Sequence, residues 1–300
     1  MRDQVTMAAV SADTHPEQTT GNLEKIAYWV QQAAESGAEL ILFPELSLTG
    51  FIPNHPLKDH DSWLRSALVQ ARKIAEPLDG RSVTAVHTLA RKHNILISVG
   101  LLEDAGNLLH NTQIILGPDG LVGRWRKMHV PMYEMPFYNG GGMPDVVQTP
   151  FGRIGINICF DALLPESTRL LALQNVEFVL FPFAADPPPA TPQGWRQWAE
   201  PALAARCREN GVFGLACNLT GQINYAGANQ NFHGGGLACD PSGEITAEWP
   251  VTTAEPTMLL TTFRQQSLQD ARSQPEYLFP FRRPELYGPL AAIGEMDIRH

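Results

Sequence analysis

The stretch from Arg153 to Glu166, RIGINICFDALLPE, constrains the fold more than any other. Ile154, Ile156 and Ile158 alternate with Gly155, Asn157 and Cys159, the period-2 signature of a strand with at least one buried face. Pro165 and the following ESTRLLA suit the first turns of a helix. A strand that turns straight into a helix is the unit of a layered α/β protein, and here it leaves Cys159 at the junction. A thiol at that point gains exposure at a sheet edge and nearby backbone N–H groups that steady negative charge. Unpaired cysteine also packs well as a small buried hydrophobe, so position alone does not separate a nucleophile from a core residue.

The same alternation runs through the chain. Val5 to Val10 reads as a first strand, and Asn22 to Ser36 as a helix closed by Gly37, with Leu23, Ile26, Val30 and Ala33 near helical spacing. Glu39 to Pro44 is a short, nearly continuous apolar run of the kind buried on both faces, and it delivers Glu45 to its carboxyl end. A carboxylate there must find a partner or stay near water; a solvated loop acid and a helix cap are the plain alternatives. HPLKDHD at 55–61 reads as a polar surface loop, because its histidines and aspartates match no zinc-ligand spacing. Ser82 to His93 is a helix and Ile95 to Leu101 a strand. Asn107 to Leu116 and Leu121 to Trp125 flank the turn GPDG as a hairpin.

Lys127 lies just beyond that hairpin, where its ammonium either points inward or joins the solvent, the ordinary outcome for lysine. The segment MYEMPFYNGGGM suits a loop over a pocket mouth; its glycines follow no phosphate-binding pattern. Glu177 to Phe181 is a further buried strand stopped by Pro182. Trp195 to Glu209 reads as a helix with Pro201 inside it, and Val212 to Cys217 as a strand. Asn224 to Gly236 reads as a glycine- and asparagine-rich loop, Leu237 to Cys239 as a short strand, and the chain from Arg264 as a polar tail.

A formal charge of -9 with scattered Lys and Arg argues against nucleic acid or an anionic membrane as partner, and favours a small molecule. Four cysteines without CxxC spacing fit free thiols in a reducing compartment, and no stretch has the length and apolarity of a membrane span, so a cytoplasmic protein is expected. The sequon at Asn218 reads as coincidence.

Glu45, Lys127 and Cys159 sit in FPELSLTGF, GRWRKMHVP and GINICFDALLPE, and these motifs, in this order, resemble the nitrilase or carbon-nitrogen hydrolase superfamily. The resemblance extends over nearly the whole chain, through ACN at 216–218, FHGGGLACDPSGEI and RRPELY. It implies a four-layer α-β-β-α sandwich formed by one domain over residues 1–300, with 264–300 at the interface of a homodimer or larger assembly. It implies no cofactor and no metal.

It also implies the roles. Glu45 is the general base, Lys127 the cation that favours the thiolate and holds the oxyanion with the Phe160 N–H, and Cys159 the nucleophile. Glu134 is a second active-site glutamate. Tyr133, Phe137, Phe183 and Trp195 are candidates for an apolar substrate pocket beside Phe160. Nitrile-cleaving members carry tryptophan and glutamate after the cysteine, whereas Phe160 and Asp161 are more similar to the amidase and carbamoyl-amide branches. Ala162, Leu163 and Leu164 stand where enzymes for carbamoyl amino acids have arginines. The expected substrate is a small amide or carbamoyl amine, with a nitrile as runner-up. An inert binding member of the fold and a thiol hydrolase pairing Cys159 with His129 or His233 are the remaining alternatives.

Overall fold

The computed structural model describes residues 1–53, 59–249 and 255–291. Its first half runs β1 (Gln4–Ser11), α1 (Thr19–Glu35), β2 (Leu40–Leu42), α2 (His60–Ile74), α3 (Arg81–His93), β3 (Leu96–Asp104), β4 (Leu109–Gly117) and β5 (Gly120–Arg126). The second half continues with β6 (Val147–Thr149), β7 (Gly152–Ile156), α4 (Pro165–Ala172), β8 (Phe178–Phe183), α5 (Pro192–Asn210) and β9 (Phe213–Asn218). Then come β10 (Thr220–Tyr225), β11 (Ala228–His233), β12 (Gly236–Cys239), β13 (Ile245–Glu248), β14 (Thr257–Arg264) and α6 (Gln265–Ser273). Two six-stranded sheets result, ordered β14-β1-β2-β3-β4-β5 and β13-β12-β9-β8-β7-β6, with β10-β11 as a separate ribbon.

Strand periodicity builds the layers. On β1, Val5, Met7 and Ala9 enter the core between the sheets, while Ala8 and Val10 join the helix-facing cluster with Ile26 and Val30 of α1 and Val86 and Ala90 of α3. On β2, Leu40 and Leu42 face one way and Ile41 the other. The second sheet carries α4 and α5, whose Leu171, Ala199 and Leu203 join the first core. The order of layers is therefore helix, sheet, sheet, helix, as expected. Each large apolar side chain removed from water this way contributes about 1.5–3 kcal/mol.

Several local expectations differ from what is found. Residues read as mixed or loop-like form α2, whose buried stripe is Trp63, Ala67, Gln70, Ala71 and Ile74. Two alanines and a glutamine conceal the amphipathic pattern; Gln70 is tolerated inside because its Nε2 donates to the Pro16 carbonyl at 2.6 Å. Of HPLKDHD, His60 and Asp61 fall in the first turn of α2, and residues 55–58 lie outside the described residues. The supposed loop after Asn224 is the end of one strand and the whole of the next, joined through Ala226 and Gly227 at φ 48° and 82°, a tight hairpin turn.

Pro182 does not stop β8, which continues to Phe183. β7 pairs with β8 only as far as Leu180, so the missing N–H at Pro182 breaks no bond on that side. β7 itself ends at Ile156, and Cys159 opens a single 3₁₀ turn, Cys159–Leu163. The chain after β14 is not wholly tail, since α6 seats Leu268 in the core.

Candidate active site

Glu45 follows β2 on a turn in which Leu46 takes φ 53°. That turn lies flat on Gly100 of β3, where a Cβ would come within 2.2 Å of the Leu46 nitrogen, so only glycine fits. The Glu45 side chain is fully buried and accepts three hydrogen bonds. Its Oε1 accepts from Asn111 Nδ2 at 2.6 Å and Lys127 Nζ at 2.7 Å, and its Oε2 accepts from the Ala184 N–H at 2.8 Å. Lys127 is pinned beside β4 by its own N–H, which donates to the Asn111 carbonyl at 2.8 Å.

The Lys127 ammonium is equally buried, and donates to Glu134 Oε2 as well, at 2.7 Å. Burial opposes its charge, but the carboxylates of Glu134 and Glu45, with Cys159, hold its pKa well above the ordinary lysine value. Glu134 sits in a turn closed by its N–H to the Pro131 carbonyl at 2.9 Å. Burial raises its carboxyl to about 7; Lys127 pulls it down and Glu45 pushes it up.

Cys159 occupies the left-handed region at φ 48°, a conformation that costs a non-glycine residue about 1–2 kcal/mol. Asp161, two residues on, holds it there. Buried and ringed by donors, Asp161 accepts from the N–H of Ile158 at 3.3 Å, Met128 at 3.2 Å and His129 at 2.9 Å, and pairs with His129 Nδ1 at 2.8 Å. One carboxylate thus ties the lysine segment to the cysteine turn. Burial first, and then Glu45, push the Cys159 thiol well above its ordinary value; Lys127 and the Ala184 N–H pull the other way without prevailing. Lys127 pulls toward the thiolate, and burial with the carboxylates outweighs it, so the balance favours the protonated thiol. Ala184, whose N–H bonds Glu45 Oε2, lines the same pocket as Cys159. A protonated thiol, an acceptor carboxylate and a fixed cation form a set suited to attack on an electrophilic carbon.

The family model for carbon-nitrogen hydrolases matches residues 6–273. The chain belongs to that family. This carbon-nitrogen hydrolase is 28% identical to a nitrilase of Pyrococcus abyssi, over 91% of this chain and 94% of the relative. It is 28% identical to an N-carbamoylputrescine amidase of Arabidopsis thaliana, over 88% of each. Its fold matches the crystal structure of an amidase from Nesterenkonia sp. with a TM-score of 0.74 at 22% identity, over 97% of this chain and 98% of the other.

In this hydrolase a cleft of about 390 Å³ opens over Cys159 and Glu134. Tyr133 and Phe160 line it as expected, both exposed, together with Phe51 and Trp198. Phe183 and Trp195 do not. Both are core residues with ring centroids 5.8 Å apart, and Trp195 lies against Gly235, whose Cβ would meet its ring at 2.2 Å. Phe137 is likewise packed in the core, edge-on to Trp63. The sequence marks these residues as aromatic but not which side of α5 or β8 they occupy, so Trp198 was missed. His129 is engaged by Asp161, and neither it nor His233 lines the cleft. A second cavity of about 420 Å³, lined by Gln70, Lys73, Glu76 and Arg81 among others, contains no thiol.

Sequence reading also missed Asn111, Ala184 and the rim residues Asp186 and Gln230. One signal was available for Asn111: His110, Asn111, Thr112 and Gln113 are consecutive polar residues in a strand, and all are buried. Asn218, the sequon residue, is fully buried and staples the segment after β8, accepting from the Ala185 N–H at 2.9 Å and donating to the Ala185 carbonyl at 2.8 Å.

Among the described residues no helix is long and apolar enough to cross a membrane.

Proposed function

We propose that the protein hydrolyses the carbon-nitrogen bond of a small amide or carbamoyl amine through a covalent Cys159 intermediate. Glu45 takes the sulfur's proton as Sγ bonds to the carbonyl carbon, and the oxyanion forms against the Lys127 ammonium and the Phe160 N–H. Collapse of that intermediate breaks the carbon-nitrogen bond, and the leaving nitrogen takes the proton from Glu45. Water, deprotonated by Glu45, then attacks the thioester, and the sulfur recovers its proton. Glu134 steadies Lys127 and orients the substrate. The observation that carries this reading is the division of Glu45, with one oxygen on Lys127 and the other on the N–H of Ala184, which lines the cleft with Cys159.

Among the described residues the cleft lining includes the acids Glu134 and Asp186 and no lysine, arginine or histidine. Neutral or cationic substrates are therefore favoured over those bearing a carboxylate. Similarity to a carbamoylputrescine amidase agrees with this choice, while similarity to a nitrilase keeps nitriles as the second reading. Four unpaired thiols favour a reducing, cytoplasmic setting. The exposed Leu278, Phe281, Leu286 and Leu290 make the C-terminal segment our candidate surface for a homodimer or larger assembly, and a monomer by light scattering would reject it.

Ammonia release measured across aliphatic amides, aromatic amides, carbamoyl amines and nitriles tests the function. Turnover of amides or carbamoyl amines that is lost in Cys159→Ser is expected; turnover of nitriles alone favours the second reading. No turnover of any class would support an inert member of the fold.

A further inference from the structure

Asn111 grips both of the residues that would serve Cys159. From β4, where it pairs with Leu102, its Nδ2 donates to Glu45 Oε1 at 2.6 Å and its backbone carbonyl accepts the Lys127 N–H at 2.8 Å. The orientation of the amide is not arbitrary. Turned over, it would set Oδ1 against a carboxylate oxygen, acceptor on acceptor. As it stands, Oδ1 is buried without a hydrogen-bond partner among the described residues. A residue kept only for packing would carry no such unpaired acceptor, since an apolar side chain of the same size would fill the space without it.

We infer that Asn111 is a positioning residue that decides which oxygen of Glu45 receives the cysteine's proton. Its amide and the Lys127 ammonium together saturate Oε1. That leaves Oε2, which has the Ala184 N–H alone, as the oxygen with room to accept a further proton. With the Asn111 bond removed, Lys127 on Oε1 and the Ala184 N–H on Oε2 still hold the carboxylate, but Oε1 regains an open lone pair that competes with Oε2 for the proton. Asn111 does not line the substrate cleft.

This inference rests on Glu45 acting as base, and the experiment separates the two. In Asn111→Leu, kcat is expected to fall about 10- to 100-fold with KM changed less than about 3-fold. Iodoacetamide alkylation of Cys159 should slow in step, at an unchanged folded fraction by near-UV circular dichroism. Asn111→Asp is the second variant. Protonated, it still donates to Oε1; ionised, it sets a like charge beside Glu45, so its pH optimum should shift toward acid. A loss of kcat and of alkylation rate in Asn111→Leu no larger than the loss of folded fraction, with a wild-type pH profile in Asn111→Asp, would overturn the inference. If Asn111→Leu does not fold, the Asn111→Asp profile decides. If Glu45→Gln fails to slow alkylation, it is the base assignment that falls.

Discussion

Glu134 Oε2 lies 2.7 Å from the Lys127 ammonium, which holds Glu45 at the same distance on another of its protons. Two buried carboxylates therefore share one cation. When both are ionised the trio carries a net negative charge, and burial relieves it by raising Glu134 to about 7.

The raised Glu134 gives the site a titration near neutrality. If ionised Glu134 orients substrate, kcat rises with pH through about 7, and Glu134→Gln removes that limb along with about 100-fold or more of the rate. The same shift has a stability sign. Between its unfolded value and about 7, the folded state binds the extra proton, so this group's contribution is lost as pH rises through that window. Denaturant titrations of wild type and Glu134→Gln check this, and a limb that survives in the variant would contradict the assignment.

Lys127→Met leaves Glu45 and Glu134 buried without a cation. Removing one partner of a buried pair typically costs about 3–5 kcal/mol. Activity should disappear, and the stability deficit should shrink toward acid pH, as the carboxyls protonate instead of remaining charged. Urea unfolding at about pH 5.5 and about pH 8 measures it.

His129 is raised above its ordinary value chiefly by the Asp161 hydrogen bond, against burial and with help from the charges of Asp161 and Glu166. Its contribution to stability is present in full below the unfolded histidine pKa, and is lost as pH rises through the folded one. His129→Gln should therefore lower Tm at about pH 6 and have less effect at about pH 9. The deficit will be small, because the imidazole is 42% exposed and solvent screens the pair.

Asp186 stands on the rim of the cleft with Gln230 as its hydrogen-bond partner. Asp186→Asn should reduce the preference for cationic over neutral amides several-fold, as a ratio of kcat/KM, while leaving neutral amides nearly unaffected. An unchanged ratio would remove Asp186 from substrate selection.

The layered fold was legible because β1, β2, β7 and β9 carry their burial in local, short-range patterns; Glu45 and Cys159 lie just past two of these strands, and Lys127 just past the more exposed β5. Resemblance supplied their roles. What escaped was set by partners distant in sequence. Gln70 reads as surface until the Pro16 carbonyl is placed against it, and Phe183 and Trp195 read as pocket until both sheets are assembled. Asn111 gains its meaning only from the register that brings β4 beside Glu45, 66 residues away.

The sharpest measurement is the rate of Cys159 alkylation by iodoacetamide in wild type and Glu45→Gln, mapped by mass spectrometry against the fully buried Cys207, Cys217 and Cys239. The two possible actions of Glu45 oppose each other here. As a neighbouring charge it raises the thiol pKa, so its neutralisation would speed alkylation; as the base that removes the proton, its loss slows it. A rate at least about 10-fold lower in Glu45→Gln is the expected result. An equal or faster rate would contradict the account.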